Sequence, residues 1–186
     1  MNTHAFDAGP LAEARVRQDG DRWTLVFVRD FKHPPTRVWS ALTDPSQLSE
    51  WSPYTADRDL GSTGSAVLTM LGGSTSEGSP ASVTVADPPK GTAGVLQYAW
   101  GDDVMRWEVS ATPAGTRLTL SHTVAARETA PRMAAGWQLC LAVAEHLLDG
   151  NPIAPIRGDE AMDYGWQELH DAFAAKFGIA NPAGPA

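Results

Sequence analysis

His122 is a polar side chain in an otherwise apolar column. In "TRLTLSHTVA" (116–125) a period of two puts Leu118, Leu120, His122 and Val124 on one face, with Thr119, Ser121 and Thr123 on the other. A histidine so placed can hydrogen-bond or move a proton in a cavity, or it can be satisfied by a neighbouring carbonyl inside a packed core. The run "VMRWEVSA" (104–111) turns Met105, Trp107 and Val109 one way and Arg106, Glu108 and Ser110 the other, and Leu96, Tyr98 and Trp100 share a face in "AGVLQYAW" (93–100). Trp39, Trp51, Trp107 and Trp137 fall in four different elements. Such rings either fill a core or line a ligand cavity, and each carries one indole donor that needs a partner. Seven tryptophans in 186 residues is rich for core filling alone, and both uses stay open.

Other reactive types are poorly placed for chemistry. The chain has no Gly-x-Gly-x-x-Gly, no phosphate loop ending Gly-Lys-Ser/Thr, no His-Glu-x-x-His and no Gly-x-Ser-x-Gly. Its five histidines (4, 33, 122, 146, 170) include no close ligand pair, and His146 and His170 read as structural or solvent-facing helix residues. Cys140 lies inside an apolar run, as a small buried hydrophobe of raised pKa. It is the lone cysteine, so neither an internal disulfide nor a cysteine zinc cluster can form. Asp57/Asp59 and Asp102/Asp103 stand in polar, turn-like strings, where capping or solvated roles prevail. These residues point to no metal, no cofactor and no catalytic set.

The elements that must position them follow from pattern. "EARVRQDGDRWTLVFVRDF" reads as two strands about Asp19-Gly20-Asp21. "HPPTRVWSALTD" changes to helical spacing at Val38, Trp39 and Leu42, predicting a helix over 35–43 that Asp44-Pro45 stops; "PSQLSEW" predicts a second over 45–51. Strands follow at 65–71, 81–87, 93–100, 104–111 and 116–125, the first two flanking the flexible string "GGSTSEGSP". Their short connections favour an antiparallel meander. From Pro131 a helix runs to about Leu148 before Asp149-Gly150, apolar over so much of its circumference that it must be covered on more than one side. A further helix is expected over roughly 160–177, where Met162, Trp166, Leu169, Phe173 and Phe177 form an apolar stripe that needs protein against it, in the same chain or in a second subunit.

The length suits one domain, divided here into a flexible leader (1–12), a domain (13–150) and an extension with an amphipathic helix (151–186). The formal net charge of -8 disfavours phosphate backbones and anionic lipid surfaces, so no nucleic acid is expected as partner. No run is long and apolar enough to span a membrane, and "MNTHAFDAGPLAEARV" lacks a basic region followed by an apolar one; a cytoplasmic location is expected.

The order hairpin, two small helices, antiparallel strands and long helix resembles the helix-grip fold of the START-like, or SRPBCC, superfamily. Within it the chain is similar to the group named after the C-terminal domain of the activator of the chaperone ATPase (AHSA-type). The likeness rests on "FVRDFKHPPTRVWSALTDPSQLSEWSP" (27–53), "VADPPKGTAGVLQYAW" (85–100), "GTRLTLSHT" (115–123) and "GWQLCLAVAEHLLDG" (136–150). Arg29, Trp39, Asp44, Pro45, Trp51, Asp87, Pro88, Trp100, His122, Gly136 and Trp137 match its pattern, mostly as architecture. The resemblance implies an α+β fold in which a curved antiparallel sheet of six or seven strands grips the C-terminal helix around an apolar cavity, with Trp39 turned inward and Trp51 at the mouth. Different branches bind lipids, hormones or polyketides, act as cyclases, or touch a chaperone. The expectation for this chain is non-catalytic binding of a small hydrophobic or amphipathic ligand, lined by Trp51, Met70, Tyr98, Trp100, Trp107, Leu120, His122, Trp137 and Leu141, with His122 and Tyr98 orienting one polar end. A polyketide cyclase or aromatase using His122, Tyr98 and Arg106 is one alternative, provided Arg106 escapes its outward parity. A chaperone-associated or other protein-binding module is another, and a homodimer through the extension is a further possibility.

Overall fold

The computed structural model describes residues 6–73 and 77–180, so His4 and the middle of "GGSTSEGSP" lie outside the described residues. Among the described residues, eight antiparallel strands form one sheet: β1 (Glu13–Asp19), β2 (Arg22–Phe31), β3 (Tyr54–Ala56), β4 (Gly64–Met70), β5 (Gly78–Asp87), β6 (Ala93–Trp100), β7 (Asp103–Thr112) and β8 (Gly115–Val124). The spatial order is β1-β2-β8-β7-β6-β5-β4-β3. Only the β2–β8 pairing joins strands distant in sequence; α1 (Pro35–Thr43) and α2 (Pro45–Trp51) leave the sheet after β2 and return through the short β3. A register shift at Val83/Val85 adds a bulge to β5, which bends that strand locally.

The two small helices begin on prolines, whose fixed φ suits a first turn and whose missing N–H is not needed there. Asp44 ends α1 in extended conformation and caps α2, its carboxylate accepting from Ser46 N at 2.9 Å and from Ser46 Oγ at 2.6 Å. Those bonds hold its carboxyl below the ordinary range. The break between the helices thus serves as a cap, and both helices turn tryptophans into the core.

Alternation along the central strands carries inward the faces read from the sequence: Leu96 and Tyr98 on β6, Met105, Trp107 and Val109 on β7, Leu118, Leu120 and His122 on β8 are all buried. Over this concave face lies α3 (Ala130–Leu148). Leu139, Leu141, Ala142 and Val143, on different sides of that helix, are all buried. The helix contacts β2, α1 and α2 as well as α4 (Trp166–Phe177). This is the helix-grip architecture.

The extension packs in cis. Phe173 of α4 is fully buried, 6.2 Å from Phe27 of β2 between ring centroids, and Phe177 stacks on it at 5.6 Å. The expected helix over 160–177 is interrupted: residues Gly158–Tyr164 form a 3-10 segment, and Gly165, at φ +82, separates it from α4. Met162 consequently leaves the stripe and is 52% exposed. Before β1, the buried Gln138 of α3 accepts from Ala12 N at 3.1 Å and donates to Pro10 O at 2.9 Å, lying also within reach of the Ala8 and Gly9 carbonyls.

Candidate functional site

An open cleft of about 940 Å³ lies between the start of α3, one flank of the sheet and the segment after Gly150. Three walls meet there. The sheet contributes Met70, Ser79 and Trp100, with Gly101 from the β6–β7 turn, Asp103 from the start of β7 and His122 from β8. The helical wall is Arg132, Met133, Gly136, Trp137, Leu139 and Cys140, recurring at the three- and four-residue spacing of one helix face. The third wall is Ile156–Asp159, Ala161, Met162 and Trp166.

Local chemistry fixes that third wall. Arg157 Nε donates to Ser52 O at 3.0 Å and its Nη2 to Ser49 O, so the guanidinium closes the carbonyl end of α2. Partial burial lowers the Arg157 pKa. Behind it Gly72 has φ +84, and a Cβ there would stand 2.7 Å from Arg157 Cβ; only glycine lets this loop approach.

His122 is placed by a hydrogen-bond chain. Trp137 Nε1 donates to His122 Nδ1 at 3.2 Å, and since an indole nitrogen only donates, the imidazole proton sits on Nε2. That nitrogen donates to Asp103 Oδ2 at 2.8 Å. Arg22 lies 3.8 Å from the same carboxylate and also donates to Asp102 O. Both ring nitrogens are therefore engaged. Proton transfer to a ligand would have to break an internal bond first.

A second polar relay lies deeper. Trp107 Nε1 donates to Tyr98 OH at 3.1 Å, and Tyr98 OH is bonded to Tyr54 OH. The rings of Trp51 and Trp137 meet Trp107 edge-on, at 6.3 and 5.3 Å between centroids. Trp51 is buried rather than at a mouth, because its Nε1 donates back to Ala41 O at 2.9 Å, which ties it to α1.

Of the nine residues singled out from the sequence, Met70, Trp100, His122 and Trp137 line the cleft. Trp51, Tyr98, Trp107, Leu120 and Leu141 are buried in the core and do not line it. Arg106 keeps its outward parity, donating to Gln97 Oε1 at 3.2 Å and Glu108 Oε1 at 3.3 Å. It does not meet His122 and Tyr98 in one space. Sequence reasoning left Asp103 in a turn-like string; strand parity two residues before Met105 gives its face, but only the register that pairs Met105 with His122 sets it beside the histidine. For Arg132 and the Ile156–Trp166 wall no local signal exists. Among the described residues, no three His, Cys, Asp or Glu side chains gather where they could hold a metal ion.

Burial pushes the Cys140 thiol from 9.0 up to about 12, against the pull of the nearby Arg157 charge. Burial likewise raises Tyr98 to about 12, and burial with the adjoining Tyr98 puts Tyr54 well above its usual 10.0. Below pH 9 these groups are protonated in folded and unfolded chain alike. Above it the unfolded chain releases the Cys140 proton first while the folded chain keeps it, so stability should fall by about 1.4 kcal/mol per pH unit for each such group. Tyr98 adds to the slope from pH 10 toward about 12, and Tyr54, raised further by burial and by Tyr98, adds to it in the same direction. In Cys140→Ala the decline should begin about one pH unit later, read from urea midpoints across the alkaline range. The same onset in both proteins would contradict this assignment.

A family model described as activator of Hsp90 ATPase homolog 1-like protein matches residues 32–149. The chain belongs to this AHSA1-like family. CalU16 from Micromonospora echinospora is 19% identical, with 88% of this chain and 95% of that one covered and a TM-score of 0.59. A conserved protein of unknown function from Enterococcus faecalis is 17% identical over 88% and 90%, at a TM-score of 0.62. An AHSA1-like protein from Aeromonas hydrophila is 19% identical over 68% and 92%, at 0.52. At these identities the structural likeness speaks for the AHSA1-like fold alone. An 88% span is longer than residues 1–150, so the first two matches reach into the segment after Gly150. No curated protein matches the chain. No helix among the described residues of this family member is long and apolar enough to cross a membrane.

Proposed function

We propose that the protein is a cytoplasmic, non-catalytic binder of a small amphipathic ligand held in the cleft between the sheet flank, α3 and the extension. The cleft itself carries the reading: its volume of about 940 Å³ lies within the range of small-molecule sites, and its walls are rich in tryptophan and methionine. Polar groups at its rim would set orientation. Among the described residues, Arg132 is exposed at the rim with no ion pair or side-chain hydrogen bond, whereas Arg157 is occupied by the α2 carbonyls. An acidic end of the ligand belongs at Arg132. The engagement of both His122 nitrogens supports binding over acid–base catalysis, and the separation of His122, Tyr98 and Arg106 weighs against a cyclase built on those three.

Anilinonaphthalene sulfonate, an apolar ring system with an anionic end, should bind the folded protein with a stoichiometry near one and quench tryptophan fluorescence. Arg132→Gln should weaken it about two- to fivefold, as expected of an exposed charge pair. Native mass spectrometry of gently purified protein would look for a natural occupant. Absence of probe binding together with capture of a folded chaperone would overturn the reading in favour of a protein-binding module.

A further inference from the structure

Gly136 lies inside α3 and lines the cleft. Glycine is the poorest helix former after proline, because it has the most backbone freedom to lose, so its presence in a helix interior calls for a reason. Two common reasons do not apply. Gly136 is not among the residues of positive φ, and a Cβ built on it would meet nothing within 4 Å beyond its chain neighbours and its own helix backbone. Gly94 differs, since a Cβ there would lie 2.7 Å from Pro89. The fold has room for a side chain at 136 and yet has none.

The missing side chain leaves a notch in the helical wall. Met133 precedes it by three residues and Cys140 follows by four, both facing the same cleft. Trp100, Trp137 and Trp166 also line that cleft, offering π faces, and methionine sulfurs favour aromatic edges. Arg132 lies one turn toward the helix N-terminus.

We infer that Gly136 is a specificity-determining residue that lets a flat ring of the ligand lie against the α3 backbone, and that the ligand class is a ring-bearing amphipathic acid, not a flexible alkyl chain. This rests on the ligand-binding reading above. A ring needs a flat, wide approach that a methyl group at 136 would obstruct, whereas an alkyl chain can bend around it.

The test compares wild type, Gly136→Ala and Gly136→Leu for thermal unfolding and for binding of anilinonaphthalene sulfonate and of dodecanoate. Replacing an unstrained helical glycine by alanine should raise the melting temperature by about 2–4 °C. The same substitution should weaken the ring probe about tenfold, and leucine more, as overpacking of a fitted contact does. Dodecanoate should change less than about threefold in Gly136→Ala. A lower melting temperature in Gly136→Ala would make the glycine structural and overturn the inference. Undiminished ring binding in both variants would overturn it while leaving the binding reading intact, and equal losses for the two probes would overturn the ring assignment. Failure of the wild type to bind either probe would remove both readings together.

Discussion

Phe173→Ala is expected to lower the unfolding free energy by about 3–5 kcal/mol, the usual loss when a fully buried aromatic side chain is emptied. At roughly 2–4 °C per kcal/mol for a chain of this size, the melting temperature should fall by roughly 6–20 °C. The ring is fully buried and packs with Phe27 of β2 and Phe177 of its own helix. Removing it opens a void against β2 in the body of the domain, so the effect should appear in the whole cooperative transition and not as fraying of α4. Met162→Ala, on the same expected stripe but half exposed, should stay within about 0.5 kcal/mol. Truncation after Gly150 should exceed the single substitution, because it also removes the buried Ile156 and the Arg157 bonds to the end of α2. Urea unfolding of the three proteins measures this. An unchanged midpoint for Phe173→Ala would show that α4 does not contribute to the fold in solution.

Trp107→Ala should cost about 3–5 kcal/mol as well, for a different mixture of reasons. The indole fills the space between Trp51 and Trp137 and donates to Tyr98 OH. Its loss leaves both a cavity and a buried hydroxyl pair short of one donor. Trp107→Phe keeps most of the apolar volume and removes the donor, and should cost about 1–3 kcal/mol, near the penalty for an unsatisfied buried polar group. In the double variant with Tyr98→Phe the two losses should be less than additive, since they share one hydrogen bond. Strict additivity in chemical unfolding would show that the Trp107–Tyr98 bond carries no stabilisation. Because Trp107 does not line the cleft, Trp107→Phe should leave probe binding per folded molecule nearly unchanged.

Three side chains mark how far the sequence could be read toward the site. His122 was legible as an inward histidine, since strand parity depends only on a two-residue backbone period. Its partners were not. Trp137 reaches it from a helix that begins after the last strand, and Asp103 looked like an ordinary turn acid until the β7–β8 register set it on the same face. Cys140 was legible as buried, yet its position at the cleft depends on how α3 is rotated against the sheet flank.

The same division holds for the whole molecule. Local pattern determined the strands from β4 to β8, the two helices either side of Asp44-Pro45, the long apolar α3 and the need to cover it, because periodicity, proline placement and turn residues act over a few positions of backbone. The three-residue β3 was too short to show a period, and Gly165 gave no sign of which side of it would unwind. Only the tertiary structure decided that α4 docks on its own chain, that five of the nine expected cavity residues close into core, and that the open space lies instead beside Met70, Trp100, His122 and Trp137 under a wall built from residues 156–166. Those outcomes depend on contacts between different elements, some as far apart as Phe27 and Phe173 or Ser52 and Arg157, whose energies come from shape and burial that no short window of sequence contains.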